Sequence, residues 1–174
     1  MKHSLLPFLL LVVFLPIGCG KGKELVEAYR FTARETIDTL AEKKGIERYK
    51  QYIESVKERM QMLEYDHFDT AEGGRTKSYY NGKDTVKKEI KYYGEMGRKH
   101  LDCYLKNNSP LLIEEQTFLY EKPLGSTEPV MIRDSILHIF YFNAPLKLIY
   151  WLEDDKKVNP LYYEEKEAEW RSYF

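Results

Sequence analysis

The stretch RTKSYYNGKDTVKKEIKYYGEMGRKHLDCYLK, residues 75–106, decides the fold. From Arg75 onward apolar and polar residues alternate with a period of two, which marks strands that bury one face. Arg75–Tyr80, Thr85–Tyr93 and Lys99–Lys106 are three such segments. Asn81-Gly82 between the first two is a hairpin dipeptide that tolerates positive φ at both central positions. Gly94 and Gly97 flank the second turn. Connections this short force consecutive strands to run antiparallel.

The same grammar continues toward the C-terminus. Asn107-Asn108-Ser109-Pro110 is a third turn, followed by strand segments Leu111–Lys122, Ser135–Asn143 and Leu146–Glu153. Ile139-Phe140-Tyr141-Phe142 is a continuous apolar run, as expected of a strand covered on both faces. Pro123 to Arg133 is the longest connection in this region, and reads as a flexible rim. From Asn159 the chain reads as a helix, with Pro160 in its first turn and Trp170, Tyr173 and Phe174 placed to dock on the sheet. Glu164, Glu165, Glu167 and Glu169 read as its solvated face.

Upstream the period lengthens. In Glu24–Lys44 the residues Val26, Tyr29, Ala33, Ile37 and Leu40 form one apolar stripe, and Gly45 is a plausible stop. Ile46, Tyr49, Ile53, Val56, Met60 and Leu63 continue the helical rhythm as a second helix, or as one long helix kinked at Gly45. Tyr65–Gly74 reads as a polar connector. The expected fold is therefore α+β: an N-terminal helix or helix pair over residues 24–65, then an antiparallel meander of about six strands and a C-terminal helix over residues 75–174. The helices are expected on one face and the C-terminal helix at an edge. Residues 24–174 form one domain. The competing fold is a small lipocalin-type barrel, which needs eight strands.

Aromatic pairs recur before the turns: Tyr79-Tyr80, Tyr92-Tyr93, Tyr104-Leu105 and Tyr141-Phe142. This rhythm resembles the hairpins of MORN-type repeats and of small secreted bacterial meander proteins. The resemblance implies hairpins and carries no functional residue.

The chain begins with Lys2 and His3 and an apolar run from Leu5 to Ile17, ending in Ile17-Gly18-Cys19-Gly20. That run falls short of the roughly 20 residues that span a bilayer and suits a secretory signal. Its end resembles the signal of bacterial lipoproteins, in which a small residue precedes the cysteine. Pro16 departs from that pattern. The resemblance implies that residues 1–18 are removed by cleavage after Gly18. Cys19 then carries diacylglycerol, and residues 19–23 form a tether. More than one acyl chain is needed for stable anchoring. The competing reading is an ordinary secretory cut after Gly20. The expected location is the bacterial cell envelope, lipid-anchored and periplasm-facing, or alternatively secreted.

Composition narrows the partners. The 174 residues carry 27 basic and 28 acidic side chains, so no basic excess points to nucleic acid. The 15 tyrosines suit half-buried sheets and contact surfaces. With Cys19 acylated, Cys103 has no partner, and its alternating neighbours make it an inward-facing thiol.

Motifs for catalysis are missing. His67, His100 and His138 are scattered, and no nucleophile elbow, phosphate loop or CxxC occurs. Asp66-His67-Phe68-Asp69 reads as a solvated loop rather than a metal site. Glu114 and Glu115 are adjacent on a strand and point to opposite faces, so they cannot act as one acid–base pair. No cofactor or metal is expected. The expected function is a membrane-anchored accessory or binding module of the envelope, with a possible envelope protein partner. The alternatives are a carrier of small apolar ligands and a hydrolase with no recognisable motif.

Overall fold

The computed structural model describes residues 39–127, 129–143 and 146–174. Gly18, Cys19, the tether and most of the first expected helix lie outside the described residues. Helix α1 covers 39–56 and closes in a 3-10 turn at Lys57–Arg59. Eight strands follow: β1 (Gln61–His67), β2 (Gly74–Asn81), β3 (Asp84–Gly94), β4 (Gly97–Lys106), β5 (Ser109–Tyr120), β6 (Ile132–Asn143), β7 (Lys147–Glu153) and β8 (Lys156–Lys157). A 3-10 turn at Pro160–Tyr162 leads into α2 (Tyr163–Tyr173). The strands form one antiparallel sheet in sequence order, β1 to β8. The α+β class stands, but the meander has eight strands rather than six. Its edges β1 and β8 do not pair, so the strand number of a lipocalin is reached without closure of a barrel.

The two extra strands were illegible for different reasons. β1 was expected to continue the second helix and the connector. Its side chains are almost all exposed, so no in–out alternation marks it. Backbone pairing with β2 and the charge contacts of Arg75 with Glu64 and Asp66 hold it. β8 is only two residues, joined to β7 through Asp154-Asp155, both with positive φ. Asn107-Asn108 is the other two-residue turn with both φ positive. At the first hairpin only Gly82 is positive, because the turn is centred on Gly82-Lys83.

Gly45 does not stop the helix. α1 runs through it because residues on either side grip the sheet. Lys43 lies over the Tyr141 and Tyr150 rings, Glu47 accepts from the Tyr141 hydroxyl, and Ile46 is buried. Those contacts outweigh the roughly 1 kcal/mol that glycine costs inside a helix.

The sheet is covered on both faces. Ile46 and Ile53 of α1 pack on Val86, Tyr104, Leu112 and Tyr141. On the other side Trp170 of α2 packs with Ile90, Leu101, Cys103, Ile113, Phe140 and Phe142. The C-terminal helix thus lies on the opposite face, where the expectation was an edge. Phe140 and Tyr141 are neighbours on β6 and face opposite ways, so a single apolar run feeds both cores.

Three of the four repeated pairs coincide with an irregularity of the sheet, while Tyr92-Tyr93 pairs in unbroken register. At Tyr79/Tyr80, Tyr104/Leu105 and Tyr141/Phe142 the register shifts by one residue. The unpaired residues opposite are Val86, Leu111 and Ile149, and all three pack in the cluster beneath α1. A bulge bends its strand, so three bulges at one level curve the sheet around that helix.

Candidate functional site

The titratable groups concentrate in two places. The first is the interface between α1 and the sheet. Glu47, Lys50, Glu54 and Lys57 line one flank of the helix and each meets a partner on a strand. Lys50 Nζ is 2.5 Å from Glu114, and Glu54 accepts from Lys87 Nζ at 2.6 Å and from the Tyr104 hydroxyl at 2.8 Å. Lys57 reaches Glu54 at 2.9 Å and Glu89 at 3.5 Å. Lys87 is buried, with Glu89 at 2.8 Å and Asp102 at 3.7 Å completing its shell. Burial opposes ionisation of Glu54, but hydrogen bonds from Lys57, Lys87 and Tyr104 outweigh it and hold the carboxyl at about 2. Burial likewise opposes the Lys87 charge and is overcome by Glu54 and Glu89, so its pKa is raised. Burial and the neighbouring carboxylate push the Tyr104 phenol up. Charge here is matched by charge, which describes a helix clamp.

The second place is a cleft of about 480 Å³ on the face carrying α2. Its floor is Tyr92 from β3, Lys99 and Leu101 from β4, and Glu115 from β5. Strand pairing sets these positions: Tyr92 is opposite Lys99, and Leu101 opposite Glu115, so all four side chains rise from one face. Asp69 and Thr70 of the β1–β2 connector form one wall, and Glu169, Trp170 and Tyr173 of α2 the other. The Thr70 hydroxyl lies 2.8 Å from the carbonyls of both Gly73 and Tyr93, and its one proton, shared between them, ties the connector to β3.

Two buried polar groups of this cleft make no hydrogen bond. Glu115 is 5% exposed and its Oε2 accepts no hydrogen bond, although Lys99 Nζ lies 3.4 Å away. Trp170 is 3% exposed and its indole N–H is likewise unpaired. Buried polar atoms are nearly always hydrogen-bonded in native folds, so each exception asks for an explanation. Tyr92 is pushed up to about 12, chiefly by burial and then by Asp69 and other nearby groups, and stays a neutral phenol.

His67 stands beside the cleft. Its ring meets Tyr92 edge-on at 5.0 Å, and Nδ1 lies 3.0 Å from Asp69 Oδ2. Neither ring nitrogen makes a hydrogen bond. The ring sits over Gly74, where a Cβ would come within 2.3 Å of it. His67 ends β1 and Asp69 lies in the connector that follows. Among the described residues no three His, Cys, Asp or Glu side chains cluster as metal ligands.

The remaining residues singled out by sequence scatter. Cys103 is a buried free thiol whose pKa burial raises. His100 lies against Phe118, its pKa lowered by burial and then by Lys91 and Arg98. His138 accepts from the Trp151 indole at 3.2 Å. Glu114 faces α1 through Lys50 while Glu115 faces the cleft, on opposite sides as alternation requires. Among the acids of α2, Glu167 is not merely solvated: it accepts from the Leu148 backbone N–H at 3.0 Å.

Periodicity did not pick out the cleft. Tyr92, Lys99, Glu115 and Trp170 are far apart in sequence, and only pairing register brings them together. Their one sequence signal is a charged glutamate on an inward position of β5. A second cleft, of about 350 Å³, lies beside α1 between Ile46, Tyr49, Leu111 and Phe142.

The sequence matches no family model, and neither a curated protein nor a solved structure is similar to this chain at a significant level.

Proposed function

We propose that this chain is a binding module held at the bacterial cell envelope by a lipid on Cys19, and that it takes its ligand in the aromatic cleft beneath α2. The observation that carries the binding reading is a pair of buried groups without a hydrogen bond at a cleft: the Trp170 indole N–H, and Glu115 Oε2, whose nearest cation, Lys99, stands off at 3.4 Å. A bound ligand would supply the missing partners, and such concave sites are usually preformed. The aromatic-rich sheet itself is a poorer contact surface than its composition suggested. Tyr104, Tyr141, Phe140 and Phe142 are sealed under the helices. Anchoring is supported by the Gly18-Cys19 junction after a short apolar run. No helix among the described residues is long and apolar enough to cross a membrane.

Two experiments test this. Intact-mass analysis of the membrane fraction is expected to find acyl mass on a chain starting at Cys19, and Cys19→Ser is expected to move the protein to the soluble fraction. A soluble chain starting at Lys21 refutes the anchor. For the cleft, ligand-observed NMR against a library of small polar envelope building blocks is expected to give hits that Lys99→Trp abolishes by filling the space. Hits that ignore this substitution, or no hits, refute the cleft.

A hydrolase reading draws on one observation, the His67–Asp69 contact at the cleft mouth. It requires turnover that His67→Ala removes while ligand binding persists. An apolar carrier finds less support, because Asp69, Glu115 and Glu169 line the cleft.

A further inference from the structure

Resting on that reading of the cleft, we infer that its ligand carries a protonated primary amine and an oxygen acceptor. Charge gives the first reason. Asp69, Glu115 and Glu169 line the cleft. Lys99 offsets Glu115 at 3.4 Å and Lys166 offsets Glu169 at 2.7 Å, which leaves a surplus of negative charge and no lining cation free. An anionic ligand would meet that surplus and find both cations already paired, and like charges in a partly buried site repel.

The rings give the second. Tyr92, Trp170 and Tyr173 present aromatic surface to the same space, with Trp170 and Tyr173 edge to face at 5.6 Å. Aromatic faces attract ammonium groups. The helix itself displays this chemistry: Lys166 Nζ lies 5.7 Å from the Trp170 ring centroid and 2.7 Å from Glu169. An ammonium held between that ring and a carboxylate is therefore a geometry this surface already supports.

The unpartnered atoms refine the class. Glu115 Oε2 has Lys99 at 3.4 Å but no hydrogen bond, so a closer donor would complete it. A primary ammonium offers three N–H groups and a quaternary one offers none. The Trp170 indole needs an acceptor, which an ammonium lacks. One ligand satisfies both if it carries an oxygen as well as the amine, as in an amino alcohol or an amino sugar.

The test titrates the full-length protein in detergent with D-glucosamine, ethanolamine and N-acetyl-D-glucosamine, reading affinity by calorimetry. Acetylation keeps the sugar ring and removes the charge. Glucosamine or ethanolamine is expected to bind at least about ten-fold more tightly than the acetylated sugar, because hydrogen bonds to a charged group are the strong ones. Preference for glucosamine assigns a sugar source, and preference for ethanolamine a lipid headgroup. Glu115→Gln, nearly isosteric, is expected to weaken the amine by about ten-fold or more. Lys99→Met is expected to tighten it by removing the competing cation. Trp170→Phe keeps a ring and loses the N–H, and is expected to weaken amine binding by a smaller factor; thermal melts confirm that each variant folds. Absence of amine binding, or N-acetylglucosamine binding as tightly as glucosamine, overturns the inference. If a neutral or anionic ligand binds instead and Lys99→Trp blocks it, the cleft stands as the site and only the amine is wrong.

Discussion

Replacing Glu54 by glutamine removes the carboxylate at the centre of the α1 clamp with almost no change of shape. In the folded protein burial pushes that carboxyl up, but hydrogen bonds from Lys57, Lys87 and Tyr104 hold it at about 2, below its ordinary 4.5. A difference of about 2.5 pH units corresponds to roughly 3.4 kcal/mol. The Glu54 side chain is 33% exposed, so solvent screening reduces the figure, by about half on the behaviour of partly exposed pairs. Lys87 keeps Glu89 at 2.8 Å, which limits the penalty of stranding a buried ammonium. The expected loss for Glu54→Gln is therefore about 1.5–2 kcal/mol at pH 7.

The sign with pH follows from linkage. A carboxyl depressed on folding contributes its full stability above its unfolded pKa, and loses it as pH falls through the folded value. The Glu54 contribution should be complete above about pH 5, less than half at pH 3, and nearly gone at pH 2. Urea denaturation of both proteins at pH 7, 4 and 3 reads this directly. The gap between wild type and Glu54→Gln should narrow on acidification. A gap of constant size across the three pH values, or one under about 0.5 kcal/mol at pH 7, would refute the electrostatic account of this interface.

Other outcomes follow from the packing. Gly45 lies within α1 with open space where a Cβ would go, so Gly45→Ala should stabilise by about 0.5–1 kcal/mol in the same urea assay; a loss would contradict the unbroken helix. Gly97 is the reverse case, since a Cβ there would lie 2.3 Å from the Phe118 carbonyl oxygen. Gly97→Ala should cost about 1–3 kcal/mol, and a neutral result would mean β4 and β5 approach less closely than described. The Cys103 thiol is fully buried with its pKa raised, so a disulfide reagent should modify it only as fast as the protein opens. Modification of Cys103 faster than unfolding would show a route to it that the packing does not contain.

Strand periodicity, turn residues and the tail helix determined the meander from β2 to β7, because each depends on neighbours within a few residues. Alternation alone put Cys103 inside and set Glu114 and Glu115 on opposite faces. β1 escaped because an exposed edge strand leaves no burial pattern. The choice between a helix stopped at Gly45 and one running through it stayed open in the sequence, because the grip of Lys43, Ile46 and Glu47 on β6 and β7 is tertiary. The same holds for the face on which α2 lies and for the cleft it closes. Tyr92, Lys99, Glu115 and Trp170 become neighbours only when strand register and helix docking are both set. Local chemistry writes the elements into the sequence, whereas a site assembled from four of them exists only where long-range pairing brings their faces together.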